Sequence, residues 1–511
     1  MKKILISAVL LFCTYLQTGA ETWTDANGMS WTYNVNGSNA TDIKPTDRTI
    51  VNGAVTIPST VLNGWTQLKV TSIGSSAFAS CTGLSSVVIP EGITAINGSA
   101  FYGCPFMTSV SIPSTVNFIG GEAFYCNYAL QKVIVSDIAA WCNINFSGER
   151  SNPLSYCHHL YCDASNEITT LTIPFGVTAI SDLAFIGCTS LTSVIIPSTV
   201  TSIGEKAFSG CTALANADIP SNLTHVGDDA FSDTPFFNNQ SGMVYLGKVA
   251  YRYAGTMPEN TTIDIREGME VIAQSAFFPS VNLVSVNIPT SVRTIGERAF
   301  QSCDGLKNII IPEGVTSIGN YAFMWSENIE SVTLPSTLPI ISQSAFKSCL
   351  ALKRIDIPKG VNTIGTTAFD GCTSLKTVSI PSSVMSIGSY AFDDCDAITS
   401  VYNLSTAPQA ISSNAFSCYD TATLFVPFDS KADYETAEGW KKFHKIVGIQ
   451  CGDVNGDGIV DIVDVVTLVD HTLGKATTLF VEPAADLNAN GDINIEDVVT
   501  LVNLLLGKDT E

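Results

Sequence analysis

The sequence predicts a repeat solenoid, a β-rich array of 23-residue coils, followed by a small all-α module. Three observations lead to the prediction of the solenoid. The dipeptide Ala-Phe recurs along the 511 residues at steps that are nearly all 23 or a multiple of 23, with Phe at 78, 101, 124, 185, 208, 231, 277, 300, 323, 346, 369, 392 and 416. An Ile-Pro or Leu-Pro pair recurs with the same step. Charged residues are only 14% of the chain, against about 25% in typical globular proteins.

The first 20 residues have the pattern of a secretory signal peptide. Two lysines precede the apolar stretch 4–16, and small residues follow before Glu21. This pattern predicts cleavage after Ala20 and a secreted, extracellular or cell-surface protein. The apolar stretch is shorter than the roughly 20 residues that a spanning helix needs, so we expect no membrane span.

The net charge argues against nucleic acid as a partner. The chain carries 25 Lys and Arg against 47 Asp and Glu, a formal net charge of -22. An acidic surface repels phosphate backbones and anionic lipid headgroups. We therefore expect no nucleic-acid binding.

One coil can be followed through residues 361–381. Val378 and Ile380 alternate with Ser379, which predicts a short strand with the two apolar residues inward. Pro381 ends this strand because it lacks a donor for the ladder. Gly365 is expected to supply a turn, and the Ala-Phe pair should place Phe on Phe between neighbouring coils. A single coil cannot bury its apolar face alone, so the coils must stack as one array over residues 51–430.

The full pattern is Ile-Gly-x-x-Ala-Phe-x-x-Cys-x-x-Leu-x-x-Val-x-Ile-Pro. It resembles the BspA-like leucine-rich repeat family of bacterial secreted and surface proteins, over roughly residues 50–430. The resemblance implies a leucine-rich-repeat solenoid and adhesion to host matrix proteins. The Asn that usually follows the strand is replaced, with Ser383 near that place, so the turn should differ from that of a standard horseshoe.

Four segments interrupt or flank the array. Residues 21–50 are predicted as an N-terminal capping hairpin and residues 431–450 as a C-terminal cap or linker, because both ends of a solenoid core need cover. Residues 136–168 are an insertion and residues 232–270 a degenerate coil. Insertions in repeat arrays usually project as loops on one face, often the binding face.

Ten cysteines follow the core Phe by two or three residues. Ser or Thr takes the same position in other coils, which favours reduced, buried thiols over disulfides, although secretion permits occasional bridges. The insertion carries Cys142, Cys157, His158, His159 and Cys162. Their spacing is poor for zinc, so an internal disulfide or plain surface histidines are preferred, and no metal site is assigned there.

The C-terminal segment contains two EF-hand-like loops of twelve residues. The first places oxygen ligands at loop positions 1, 3, 5, 7, 9 and 12, the seventh through its backbone carbonyl: Asp453, Asn455, Asp457, Ile459, Asp461 and Asp464. The second repeats the pattern 33 residues later: Asp486, Asn488, Asn490, Asp492, Asn494 and Asp497. Alternating Asp and Asn with a turn Gly is the pattern of a calcium loop. Two Ca²⁺ sites are predicted, the second weaker because it has fewer carboxylates.

Each loop is followed by one predicted helix, whose apolar residues recur at helical spacing. Asp rather than Glu occupies position 12 of each loop. This arrangement resembles a type I dockerin module over residues 451–511, which implies calcium-dependent folding and docking onto a cohesin-like scaffold protein. The recognition positions are Ile462-Val463 and Ile495-Glu496, unlike the Ser-Thr pair of cellulosomal dockerins. The alternative is that the module is only a C-terminal cap that calcium stabilises.

Enzyme signatures are absent from the sequence, including Gly-x-Gly-x-x-Gly, Gly-x-Ser-x-Gly and His-Glu-x-x-His. We therefore expect a non-enzymatic binding or adhesion protein. Its solenoid would bind a host or surface protein or glycan, and its dockerin would attach it to a cohesin-bearing partner. The alternative is an accessory subunit of a polysaccharide-degrading multienzyme complex.

Overall fold

The fold is taken from a computed structural model that describes residues 20–455, 459–475, 480–487 and 492–507. Its described residues divide into two compact units. The first unit runs to Pro220 and includes Asp229–Asn239, and the second comprises Ser221–Asp228 and the chain from Gln240 onward. The predicted signal peptide lies outside the described residues, except for Ala20.

The first unit is built mainly of short strands: β1 (Glu21–Thr24), β2 (Ser30–Asn36), β3 (Asn39–Pro45), β4 (Asn52–Thr56), β5 (Thr60–Asn63), β6 (Thr66–Val70), β7 (Ser72–Ile73), β8 (Gly83–Val88), β9 (Ala95–Ile96), β10 (Ser109–Ile112), β11 (Phe118–Ile119), β12 (Lys132–Val135), β13 (Asn145–Phe146), β14 (Leu160–Tyr161), β15 (Thr170–Thr172), β16 (Ala179–Ile180), β17 (Ser193–Ile195), β18 (Ser202–Ile203) and β19 (Asn216–Asp218). Its helices are α1 (Ile138–Trp141), α2 (Leu154–Cys157) and α3 (Pro235–Asn238), with a 3-10 turn at Glu149–Ser151.

The second unit continues the numbering: β20 (His225–Val226), β21 (Gly242–Leu246), β22 (Val249–Ala254), β23 (Thr261–Asp264), β24 (Val271–Ile272), β25 (Leu283–Asn287), β26 (Thr294–Ile295), β27 (Asn308–Ile310), β28 (Ser317–Ile318), β29 (Ser331–Thr333), β30 (Ile340–Ile341), β31 (Arg354–Asp356), β32 (Thr363–Ile364), β33 (Thr377–Ile380), β34 (Ser386–Ile387), β35 (Ser400–Asn403), β36 (Thr423–Pro427) and β37 (Lys445–Ile449). Its helices are α4 (Lys431–Thr436), α5 (Ile462–Thr472), α6 (Glu482–Ala485) and α7 (Ile495–Leu505), with 3-10 turns at Cys418–Asp420, Phe428–Ser430 and Trp440–Lys442.

Each regular coil contributes one longer and one two-residue strand, and within each sheet these strands pair in parallel with their equivalents in neighbouring coils. In the first unit the longer strands form the sheets β14-β12-β10-β8-β4 and β15-β17-β19, and in the second they form β23-β25, β27-β29 and β31-β33-β35-β36-β37. Val378 and Ile380 are buried and Ser379 is half-buried, as predicted, and β33 ends at the residue before Pro381. The predicted solenoid of about 23-residue coils is thus confirmed.

The core Phe side chains form stacks, as predicted. The stacks run through 78, 101 and 124, through 185, 208 and 231, and through 277, 300, 323, 346, 369, 392 and 416, with ring centroids of neighbours 5.0–5.5 Å apart and planes within 15°. All of these rings are buried. Parallel rings stacked at about the spacing of neighbouring strands give continuous apolar contact between the coils of each stack.

The cysteine position is a hydrogen-bond donor site. The Cys372 thiol lies 3.3 Å from the carbonyl oxygen of Phe346, in the preceding coil. Ser326 makes the equivalent bond to Phe300 at 2.7 Å, which explains why Ser replaces Cys there. One assignment was wrong: after Phe124 the donor is Asn127, whose amide bonds the carbonyl of Phe101 at 2.9 Å, while Cys126 is half-exposed.

The glycine of the Ile-Gly step does not act as expected. Gly365 and Gly388 do not have a positive φ. They are glycines because a Cβ on Gly388 would lie 2.4 Å from the backbone nitrogen of Thr366 in the preceding coil. The left-handed turn falls instead on a residue such as Tyr321, with φ of 60°, whose N–H donates to the carbonyl of Gln343 at 3.0 Å.

A hydroxyl replaces the Asn expected after the strand. Ser383 donates to the carbonyl oxygen of Val361 at 2.7 Å, and Thr337 makes the same bond to Val315 at 2.8 Å. Both bonds cross to the preceding coil, so each satisfies a half-buried carbonyl that no strand pairs.

The predicted insertion, residues 136–168, forms a wide coil rather than a projecting loop. Strand β13 pairs in parallel with β11, and β14 pairs in parallel with β12. The indole of Trp141 is buried and donates to the carbonyl of Ala184 at 2.7 Å. This segment therefore continues two sheets of the first unit, because its apolar residues supply the same inward contacts as a regular coil.

The other irregular segments are also built from strands. Residues 21–45 form the antiparallel strands β1, β2 and β3, and β3 then pairs in parallel with β7. In the predicted degenerate coil, β21 and β22 form an antiparallel hairpin, and β22 pairs in parallel with β24. Near residue 450, β37 pairs in parallel with β36, and Trp440 is buried. Across the described parts of the chain, every helix is too short or too polar to span a bilayer.

Candidate functional site

The first predicted calcium loop leads into α5 through a capping box. Asp461 is the N-cap residue and accepts a bond from the Val463 N–H at 2.7 Å. Asp464 is fully buried, and its two carboxylate oxygens accept the N–H groups of Asn455 at 2.9 Å and Asp461 at 2.8 Å. A carboxylate held on both oxygens cannot rotate freely, so the last ligand position is fixed relative to the loop.

The second loop repeats this arrangement at α7. Asn494 is the N-cap residue, and its side chain accepts the N–H of Glu496 at 2.7 Å. The buried carboxylate of Asp497 accepts the N–H groups of Leu487 and Asn494, each at 2.9 Å. The ends of the two loops therefore make the same capping contacts despite the different ligand charges.

The other predicted ligands are placed as follows. Asp453 is 1% exposed, Asn455, Asp461, Asp486 and Asn494 are half-buried, and Ile459 and Asp492 are exposed. Asp457, Asn488 and Asn490 lie outside the described residues. Among the residues that are described, no group of three or more His, Cys, Asp or Glu side chains is gathered around one point.

The donors that are described fit a hard cation. Asp453 and Asp464 are both buried, and buried carboxylates are costly unless a positive charge or hydrogen bonds compensate them. Carboxylate, amide and backbone carbonyl oxygens are the ligands that calcium prefers. The chemistry of these residues is therefore that of a calcium loop.

The helices after the loops present apolar side chains to solvent. Helix α5 buries Val465 and Leu468 against the module's own core. On its other side the exposed apolar residues of the first turns are Ile462, Val463 and Val466, and those of the first turns of α7 are Ile495 and Val499. We call these five residues the apolar patch. Exposed apolar surface of this kind is typical of a protein-binding site.

The sequence did not indicate the contact between the module and the preceding sheet. Tyr402 and Phe425 stack with ring centroids 4.7 Å apart, and both pack with Ile449, Val481 and Ala484. These residues are far apart in sequence, so no local pattern shows that they meet. The contact holds the segment between the two calcium loops against strands β35, β36 and β37.

The cysteine and histidine residues of the wide coil form no metal site in the described chain. His159 pairs with Glu167 at 2.7 Å, and His158 lies 3.1 Å from the carbonyl of Gly187. Cys142, Cys157 and Cys162 are free thiols, so of the two alternatives for these residues the internal disulfide is not formed. The alternative of histidines in ordinary polar contacts agrees with these distances.

Three solved structures are similar to this chain. A leucine-rich cell surface protein from Faecalibacterium prausnitzii is 27% identical, with 75% of this chain and 94% of that chain covered and a TM-score of 0.33. A leucine-rich repeat protein from Bacteroides ovatus is 24% identical, with 74% and 93% covered and a TM-score of 0.29. The pneumococcal vaccine antigen PcpA is 17% identical, with 84% and 99% covered and a TM-score of 0.35. None of the curated proteins matches the chain.

Two family models match the chain, and neither describes a catalytic domain. The type I dockerin domain matches residues 451–506, and dockerins of this type bind calcium and dock onto cohesin partners. The BspA type leucine-rich repeat region matches residues 65–150, 158–250, 246–359 and 339–432, more than half of the chain. The protein therefore belongs to the BspA-type leucine-rich repeat family and carries a type I dockerin domain after its repeats.

Proposed function

We propose that this protein is a secreted or cell-surface, non-enzymatic binding protein with two separate binding parts. The solenoid, residues 51–430, binds a host or surface macromolecule. The dockerin, residues 451–511, attaches the protein to a cohesin-bearing partner when calcium is present. The observation that carries this proposal is the apolar patch, which lies beside both calcium loops and is left exposed by the module's own fold.

We assign two calcium ions to the dockerin. Their proposed ligands are Asp453, Asn455, Asp457, Ile459, Asp461 and Asp464 in the first loop, and Asp486, Asn488, Asn490, Asp492, Asn494 and Asp497 in the second. The first loop has four carboxylates at side-chain ligand positions and the second has two. Fewer charges at equal geometry give weaker binding, so the second site has the lower affinity.

The proposal also assigns roles to the segments that flank the solenoid. Residues 1–20 are a signal peptide that directs secretion, residues 21–50 cap the first coil, and residues 431–450 cap the last. The lack of enzyme motifs in the sequence supports a binding role for the repeats. Solenoids of this kind offer extended surfaces for macromolecules.

A second candidate function is an accessory subunit of a polysaccharide-degrading complex. The dockerin favours it, because a cohesin scaffold collects several dockerin-bearing chains. In that case the solenoid would direct the complex to a surface. The two functions differ in the partner proteins that share the scaffold.

The apolar patch gives a direct test of the two binding parts. The double variant Val463→Glu with Val499→Glu places a charge on the exposed side of each helix, where both residues are about half exposed, so folding should be kept. We expect the full-length variant to bind the cohesin-bearing protein, captured from the bacterial surface, about tenfold more weakly or worse. Binding of the solenoid to target surfaces should be unchanged.

Met385→Glu is the matched control, since Met385 is an exposed apolar residue of the solenoid. It should leave cohesin capture intact. If the double variant captures the partner as well as the native protein does, the apolar patch is not the docking surface. If the native protein captures no cohesin in calcium, the module is only a cap.

A further inference from the structure

Four tyrosine rings meet on the surface of the first unit. Tyr102 and Tyr125 follow the core Phe residues of consecutive coils, and their ring centroids are 5.6 Å apart. Tyr156, in α2 of the wide coil, lies 6.2 Å from Tyr125 and 6.2 Å from Tyr128. Tyr128 is 77% exposed and the other three are half-buried. We call Tyr102, Tyr125, Tyr128 and Tyr156 the tyrosine cluster.

An open hollow adjoins the cluster. It has a volume of about 410 Å³ and is lined by residues 121–122 and 147–151. Arg150 belongs to both features, because it lines the hollow and its guanidinium lies 4.6 Å from the centre of the Tyr125 ring. The wide coil thus places a polar hollow next to an aromatic surface.

The charges around the hollow are balanced. Arg150 pairs with Glu122 at 3.2 Å, and Lys206 pairs with Glu149 at 2.5 Å. Each of these two pairs is neutral, and Glu205 and Asp229 also lie within electrostatic reach of Lys206, so the hollow offers no excess positive charge to an acidic ligand. Burial raises the pKa of Tyr156 to about 12, so its hydroxyl remains a neutral donor and acceptor at physiological pH.

We propose that the tyrosine cluster and its hollow bind a neutral sugar unit of a surface glycan. The face of a tyrosine ring carries negative potential, which attracts the C–H groups on the flat side of a pyranose ring. The serine, glutamate and arginine groups of the hollow supply hydrogen bonds for sugar hydroxyls. Rigid aromatic rings beside small polar residues are an effective binding surface, because little conformational entropy is lost.

The size of the site favours a sugar over a protein. Ligand pockets of small molecules have volumes of roughly 300–1,000 Å³, and this hollow is at the lower end of that range. A stable protein partner would need about 800 Å² of surface on each side. This inference rests on the proposed function of the solenoid as a surface-binding module and specifies one site within it.

The test is calorimetric titration of the full-length protein with neutral disaccharides, namely maltose, lactose, cellobiose and xylobiose, and with the acidic sugar sialyllactose. At least one neutral disaccharide should bind. Tyr125→Ala, Tyr156→Ala and Tyr128→Ala should each weaken that binding, the first two by about tenfold or more. Tyr128 is the most exposed of the four rings, so its variant tests the cluster without disturbing packing.

Tyr321→Ala is the matched control. Tyr321 is a surface tyrosine of the second unit with Arg298 5.4 Å from its ring centre, and its removal should leave sugar binding unchanged. The proposal is wrong if no neutral disaccharide binds, if only sialyllactose binds, or if the Tyr321 variant loses as much as the cluster variants.

Target surfaces stripped of glycans separate this inference from the proposed function. If the native protein still binds stripped surfaces and the cluster variants do not, the ligand is a protein and the sugar assignment is overturned. If the native and variant proteins bind all surfaces equally, the solenoid binds its target through residues outside the tyrosine cluster, and the sugar assignment is overturned. If the native protein binds no surface, the proposed function of the solenoid fails as well.

Discussion

At the residue scale, the distance between neighbouring coils determines which side chains are allowed. Gly388 and its equivalents lie against the backbone of the preceding coil, where a Cβ has no room. The sequence shows that glycine recurs, but it does not distinguish a steric requirement from a turn. Only the stacking of coils reveals the reason, because the colliding atoms are about one repeat away along the chain.

Gly388→Ala should therefore destabilise the second unit. The new Cβ would lie 2.4 Å from the Thr366 nitrogen, and shifts of this kind in a packed interior cost about 1–3 kcal/mol. Urea unfolding followed by circular dichroism measures the loss. Gly121→Ala is the control, because an added Cβ there has no neighbour within 4 Å. Equal stability of the two variants would refute the steric explanation.

Thiols in the cysteine position should resist alkylation in the native protein. Burial raises the pKa of Cys104 and of Cys211 to about 12, and only the thiolate reacts readily. At pH 8 these thiols remain protonated, and their reactivity should rise only when unfolding exposes them. Mass spectrometry after iodoacetamide treatment, with and without guanidinium, checks this. Exposed Cys162 should react in both conditions; protection of Cys162 or rapid native labelling of Cys104 would contradict it.

At the element scale, the two loop-helix units of the dockerin begin their helices with the same capping contacts and differ in charge. Asp464 and Asp497 are equally buried and hold the loop backbone in the same way. A difference in calcium affinity between the loops must then come from the ligands that differ. Such a difference is measurable site by site.

Titration calorimetry of the full-length protein should show two calcium sites, the first tighter by about tenfold or more. Asp464→Ala should remove the tight site and Asp497→Ala the weak one, because each loses a ligand and the bonds that fix its loop. Asp470→Ala is the control, since Asp470 lies on α5 and pairs with Lys475 just after the helix, outside both loops. One class of sites, unaffected by either loop variant, would contradict the assignment.

The sequence predicts some elements better than others. Coils with the full pattern follow from the 23-residue periodicity, and the existence of α5 and α7 follows from the apolar spacing after each loop. The wide coil could not be predicted, because its residues 136–168 share no spacing with the other repeats and reach the same sheets through different side chains. The contact of Tyr402 with Val481 could not be predicted from local sequence patterns either, because it joins residues of two different modules.

At the scale of the whole molecule, the charge is concentrated in the dockerin. Residues 451–511 contain twelve Asp and Glu against two Lys, so they account for -10 of the net charge of -22. Much of this charge belongs to the proposed calcium ligands. Chelation would leave these carboxylates to repel one another, and attachment through the dockerin should then fail while the solenoid remains folded.

The most direct measurement is capture of the cohesin-bearing partner by the full-length protein in calcium and in chelator. We predict capture in calcium, loss of capture in excess chelator, and recovery when calcium is restored, with binding of the solenoid to its target surface unchanged throughout. Capture of the partner that persists in chelator would contradict a calcium-dependent attachment module. Loss of surface binding in chelator would contradict a solenoid that binds its target independently of calcium.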